Sequence, residues 1–248
     1  MRKVRRAPDG FNDALLGPQR KAAFEYALGL WSQRLPASYV GETIVVAAGT
    51  RSYLAAGALL AVAQSTSFFE NFHGAMPETL YSVALANHLA KQDLNASQPE
   101  ITVTVNEDID TAALIFGVCG FYYQTDGQTG SDKYDIVSLI MHEIAHGPGF
   151  TSNIAADGSY SRTTLGTANP TIWDRFLEIG NGTDLAALTR GQRAQALVGG
   201  DLFWRGSRAI RNNGSQRPEI FAPPMHIQGR ARRISMKART PTNSSARS

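Results

Sequence analysis

Cysteine is nearly absent from this chain: Cys119 is the single one in 248 residues. No intramolecular disulfide can form, and metal clusters built on several thiolates are excluded. Phe116, Gly117 and Val118 precede it, which suits a small buried side chain, and no thiol-protease motif surrounds it. Long apolar runs are missing as well. The longest, Tyr53 to Ala63, is too short to cross a bilayer, so no transmembrane segment is expected. The opening MRKVRRAPDG has the charge of an export signal without the apolar stretch that should follow. Either the protein is cytosolic or its signal lies outside this chain.

Acid is missing from the end of the sequence. Nothing after Glu219 carries a negative side chain, whereas Arg230, Arg232, Arg233, Lys237, Arg239 and Arg247 are basic. Arg2, Lys3, Arg5 and Arg6 crowd the other end, so the formal net charge of +3 belongs to the termini. Residues 7 to 229 hold 14 basic and 21 acidic side chains, a body of net −7. No specific nucleic-acid partner is expected of such a body. At 43% hydrophobic and 18% charged, the chain has enough apolar material to bury a core, which argues against wholesale disorder. Its length admits one large domain or two small ones.

Histidine is scarce too, five in all, yet two fall in one stretch. Tyr134 to Phe150 reads YDIVSLIMHEIAHGPGF and contains His142, Glu143 and His146 in the pattern H-E-x-x-H. Residues four apart on an α-helix lie about 40° apart on one face and roughly 6 Å along the axis, so two imidazoles can aim at one metal ion. Glu143 stands beside them, placed to accept a proton from an activated water. Ile136, Val137, Leu139, Ile140, Ile144 and Ala145 make the helix apolar on most sides. A buried position is therefore expected, where His and Glu need partners and a metal supplies one.

The rest of the chain reads as alternating elements. Pro18 to Leu35 has helical spacing in Ala22, Ala23, Tyr26, Ala27, Leu30 and Trp31, ended by Pro36. Thr43 to Ala48 reads as a strand, and residues 52 to 64 fit either helix or buried loop. Phe68, Phe69 and Phe72 precede a GAMPET turn, suggesting a loop over the core. Leu80 to Leu94 reads as a second helix carrying His88, a lone histidine better suited to surface or core than to ligation. Ile101 to Asn106 alternates strictly as a strand, and Gly120 to Gln124 is a shorter one. After a turn at 125–132 and the H-E-x-x-H helix comes a polar, Gly-rich loop to Ala168. A helix over Asn169 to Ile179 starts at Pro170, a short one covers Thr189 to Val198, and Leu202 to Ile210 suits a strand. No internal repeat is visible, and the pattern fades from Gly229 onward.

These residues resemble a known family. HEIAHGPGF resembles the H-E-x-x-H-x-x-G-F signature of metzincin-type zinc peptidases. GFND, YSVALANHLAKQDL, ITVTVNED, FYYQTDG and IWDRFL, in that order, are similar to a group of secreted bacterial metallopeptidases distantly like leishmanolysin. The resemblance covers roughly residues 8 to 222. It implies an α+β domain with a mixed sheet and an active-site helix, a secreted location, a protein or peptide substrate and Zn2+ as cofactor, and the chain is taken as a monomer. Residues 1–7 are then a basic lead-in or the remains of a signal, and 223–248 a basic disordered tail. In this family His142 and His146 would hold zinc and Glu143 would be the general base. The substrate would lie extended along an edge strand, with Ile101–Asn106 and Gly120–Gln124 as candidates. Tyr122, Tyr123 and Trp173 would line a specificity pocket or pack the core.

Three departures from the pattern stand out. The compact metzincin signature places a third His where this chain has Ser152, a poor zinc ligand. Pro148 stands where the family has an apolar residue such as Leu, and it should stop the helix right after His146 and alter the turn at Gly149. Candidates for the third ligand are Asp174, Glu178 on a following helix, and His226. Asp174 equally suits capping of backbone N–H groups, and Glu178 a surface charge. Leishmanolysin-like enzymes take their third His from far downstream, and this group often has S-H-L-D-E after a Pro-Gly turn. Residues 225 to 242 admit codons that spell such a run in a shifted frame, so a frame change near residues 221 to 225 would explain both the missing His and the acid-free tail. The encoding DNA decides it: no His codon in a shifted frame, no frame change. The alternative to a peptidase is a peptidase-like binding module that lacks the third ligand.

Overall fold

A computed structural model of the chain describes residues 10–36, 38, 42–53, 59–96, 98–110, 120–161, 166–221 and 235–236. Cys119 and His226 lie outside these residues. The architecture is α+β, with a mixed sheet and several helices, and it divides into two compact units. The first comprises residues 1–75 and 82–150, the second residues 76–81 and 151–248. No helix among the described residues is long and apolar enough to cross a membrane.

In the first unit, α1 (Gly17–Arg34) begins where the Asp13 carboxylate accepts hydrogen bonds from the Leu15 and Leu16 N–H groups, with Pro18 in the first turn. Three strands form its sheet: β1 (Val46–Arg51), β2 (Ala61–Ser65) and, after β3 (Phe68–Phe69), β4 (Tyr81–Ser82) and α2 (Val83–Ala90), the central β5 (Ile101–Asn106). β1 runs parallel to β5, from Val46 opposite Ile101 to Arg51 opposite Asn106, and β2 runs antiparallel to it. Ile101, Val103 and Val105 face the core at period two, as the alternation in ITVTVN requires. Next come β6 (Phe121–Tyr122), β7 (Tyr134–Asp135) and α3 (Ile136–His146). α3 packs on α1, β2 and β5, burying Ile136, Ile140 and Ile144.

One polar cluster penetrates this unit. Arg20 donates to the Gly10 carbonyl at 2.7 Å, to the Tyr123 hydroxyl at 3.1 Å and to Asp110 at 2.7 Å. Tyr123 in turn donates to Asp110 at 2.6 Å. Burial, reinforced by that bond to Asp110, holds the Tyr123 hydroxyl protonated well above the ordinary tyrosine range. Each charged group here is paired and hydrogen-bonded, the condition under which a buried ion pair is tolerated.

In the second unit, α4 (Ile172–Arg175) is a single turn followed by β8 (Leu177–Ile179), and not the three-turn helix its apolar spacing predicts. Leu177 to Ile179 instead pairs antiparallel with β9 (Leu202–Trp204), which buries Leu177 and Leu202 completely; a strand partner outweighs helix periodicity. The strand expected over 202–210 is correspondingly short, and α6 (Ser207–Asn212) takes its second half. Between β8 and β9 lies α5 (Arg190–Gly199), where Thr189 and Gln192 close a capping box. Trp173, Leu185, Ala196 and Ile220 complete the core. Within the stretch expected to be a tail, β11 (Ser235–Met236) pairs antiparallel with β10 (Ile220–Phe221).

One of the two substrate-strand expectations is overturned. Ile101–Asn106 is bonded on both sides, so it has no free edge, whereas Phe121–Tyr122 pairs in parallel with Tyr134–Asp135 alone and keeps one edge among the described residues. Among the described residues the outer strands of the three-stranded sheet are β1 and β2.

Candidate functional site

The site is built on α3, and local chemistry fixes both ends of that helix. Asp135 is its N-cap: the carboxylate accepts from the Val137 and Ser138 N–H groups and from the Ser138 hydroxyl. An Asp directly before an apolar run is an N-cap signal legible in the sequence. At the other end the helix stops at His146, where Pro148 has no N–H to continue it. Gly147 keeps helical dihedrals (φ −63°, ψ −52°) before the proline, and Gly149 turns the chain away at φ 114°.

Gly147 matters for a second reason. A Cβ there would lie 2.3 Å from Cδ1 and 2.4 Å from Cγ1 of Ile101, so only glycine lets the end of α3 sit this close to β5. Gly147→Ala is expected to destabilise by roughly 1–3 kcal/mol, the usual range for overpacking a core, despite alanine's better helix propensity. Chemical denaturation measures it.

His142 and His146 are brought together as the spacing requires. Their ring centroids are 5.0 Å apart and the rings are nearly perpendicular, at 88°. Two imidazoles bound through nitrogens ~2.0–2.1 Å from one tetrahedral ion place their ring centres about 5 Å apart, so the pair fits zinc. The Nδ1 of His146 lies 2.7 Å from the Phe150 carbonyl oxygen. A carbonyl only accepts, so Nδ1 carries the proton and the lone pair of the neutral ring sits on Nε2, the atom left for a metal. Sequence patterning could not show this bond, because its acceptor is a backbone atom. Glu143, on the same turn, is fully buried.

Of the candidate third ligands, Asp174 and Glu178 have other partners, as has Ser152, and His226 lies outside the described residues. Ser152, at the third-His position of the compact signature, accepts from the Ile154 N–H. One oxygen of Asp174 accepts from the Asn153 and Thr171 N–H groups and from the Thr171 hydroxyl, at 2.9–3.0 Å. It is the capping residue its alternative reading anticipates. Burial pushes the Asp174 carboxyl above the ordinary carboxylate range, against hydrogen bonding from Ser152, Asn153 and Thr171 that pulls it down. Glu178 sits on a strand, not on the helix expected, and pairs with Arg217 at 2.6 Å. No group of three His, Cys, Asp or Glu side chains forms a ready metal site among the described residues.

The remaining candidates are structural. His88 and Lys91 both meet Glu42, each at 2.7 Å. Tyr123 belongs to the Arg20 cluster, Tyr122 donates to Asp126, and Trp173 is buried and stacked on Trp204 with centroids 4.3 Å apart. Tyr123 and Trp173 thus take part in a hydrogen-bonded cluster and an aromatic stack respectively. No protein-family model, curated protein or solved structure matches the chain.

Proposed function

We propose that this chain is a zinc-dependent endopeptidase of metzincin type, secreted and acting on protein or peptide substrates. The observation that carries the reading is the geometry of α3: two imidazoles at metal-binding separation, one with its tautomer set by the Phe150 carbonyl, and a buried glutamate on the same turn. His142 and His146 would hold zinc, which supplies a Lewis acid that acidifies water and polarises a scissile carbonyl. Glu143 then takes the proton from the attacking water and passes it to the leaving amine, so that one water is consumed per peptide bond cut. The His146–Phe150 bond holds its imidazole in the ligating orientation. An extended substrate would pair with the outer edge of β2, the outer strand against which α3 packs.

A second reading has its own support. With Ser152 at the third-His position and Asp174 and Glu178 engaged elsewhere, the chain suits a peptidase-like module that binds peptide without cutting it. Metal analysis together with a casein assay separates the two. One zinc per chain and cleavage abolished by chelator and restored by zinc support the peptidase. Absence of both zinc and cleavage rejects it in favour of the module.

A further inference from the structure

The peptide group that joins Met141 to His142 is tethered from outside its own helix. Trp31, on α1, donates its indole N–H to the Met141 carbonyl at 2.9 Å. A carbonyl inside a helix accepts one bond from the residue four places on and keeps a second lone pair, and Trp31 takes that one. The donor is rigidly placed. Its ring packs against the core of the unit, and it lines an apolar cavity of about 280 Å³ together with Leu28, Val46, Ile101, Ile144 and Pro148.

We propose that Trp31 is a positioning residue for the metal site: it fixes the rotation of α3 about its axis and so aims His142 and Glu143. This rests on the zinc reading above. An imidazole nitrogen stands roughly 6 Å from the helix axis, so a rotation of about 10° displaces it by about 1 Å, more than a metal or catalytic constellation tolerates. The Asp135 cap and the Gly147–Ile101 approach act at the ends of α3, and Ile140 packs its middle turn without a directional bond. The indole bond acts at that turn, one residue before the first ligand. A bicyclic donor with only two side-chain torsions makes a stiffer tether than a flexible polar chain would.

The test is Trp31→Phe in the full chain, which keeps an aromatic ring in the core and removes the donor. Leu28→Ala is the comparator: it empties part of the same cavity and touches no hydrogen bond. Zinc dissociation constants are measured by competition with a chromophoric chelator at a temperature where circular dichroism shows each protein folded. Trp31→Phe is expected to weaken zinc about ten-fold, while Leu28→Ala loses stability and keeps its zinc affinity within about two-fold. Unchanged affinity in Trp31→Phe, or an equal loss in both variants, overturns the proposal. Should Trp31→Phe not fold, the wild-type chain supplies the reading. Its Trp31 indole N–H resonance, identified by its contacts to Leu28, must shift along the zinc-binding isotherm, and a resonance that stays put overturns the proposal. A wild-type chain that takes up no zinc defeats the zinc reading itself, and the proposal with it; a wild-type chain that binds zinc beside an unaffected Trp31→Phe defeats the role of Trp31 alone.

Discussion

Glu143→Ala is expected to lower casein hydrolysis by about 10²–10⁴-fold, the contribution of a positioned general base, while leaving zinc content at one per chain. The two outcomes belong together. Glu143 lies on the same turn as the ligands but is assigned the proton and not the metal, so its loss should reach kcat and spare binding of the ion. Glu143→Gln sharpens the test. The amide fills the same fully buried position, so a fall in rate with this variant reports lost basicity and not a collapsed pocket. Activity retained by both variants removes Glu143 from the chemistry. Loss of zinc along with activity would reassign the carboxylate to the coordination sphere. Either result leaves the histidine pair open to its own test by metal analysis of His142→Ala and His146→Ala.

Asp174→Ala is expected to destabilise the second unit by about 3 kcal/mol, while Asp174→Asn stays within about 1 kcal/mol of the parent at neutral pH. Alanine strands the Asn153 and Thr171 N–H groups that now converge on one carboxylate oxygen, while the Thr171 hydroxyl keeps the Thr151 carbonyl at 2.8 Å. Asparagine can offer an oxygen at the same place and carries no charge to desolvate. The pH dependence follows from the sign of the shift. Burial raises the folded carboxyl above its unfolded value, so the folded state binds the proton more tightly. The Asp174 contribution to stability is therefore full below the unfolded value of 3.8 and declines as pH rises through the raised folded value. Denaturant titrations of parent and Asp174→Asn from acid to neutral pH measure this. The parent should carry a downward slope above pH 3.8 that the variant lacks. Identical slopes would show that Asp174 does not titrate in that window.

Part of this architecture was legible in the sequence, and the reason lies in how local each signal is. The strand Ile101–Asn106 and the arrest of α3 at His146 follow from period-two alternation and from a missing proline N–H, both contained within a few residues. α1 was legible for the same reason, to within a residue at each end. The segment 172–179 was not, because the apolar residues that suit a helix also suit a strand, and the choice is made by a partner at 202–204 that no local pattern encodes. Likewise the edge assignment of Ile101–Asn106 failed because pairing on both sides is a property of the sheet and not of the strand. At the candidate site, spacing alone predicts that the His142 and His146 rings come close together beside Glu143. The contacts that hold them, from the Trp31 indole to the Met141 carbonyl and from His146 to the Phe150 carbonyl, use backbone acceptors that leave no trace in residue identity.

The division of the chain has a practical corollary. It changes unit after residue 75, again after 81 and a third time after 150, so neither unit is a contiguous segment. A fragment ended at residue 150 would keep Leu80 without Pro170 and Ile172, whose backbone groups bond to it, and Thr79 without the Arg175 side chain. A fragment begun at 151 would leave those bonds unmade from the other side. Domain dissection by a single cut, the ordinary first step in dividing labour between two units, is closed to this protein; the first unit alone needs residues 76–81 replaced by a short linker, and the second needs those same residues supplied together with 151–248.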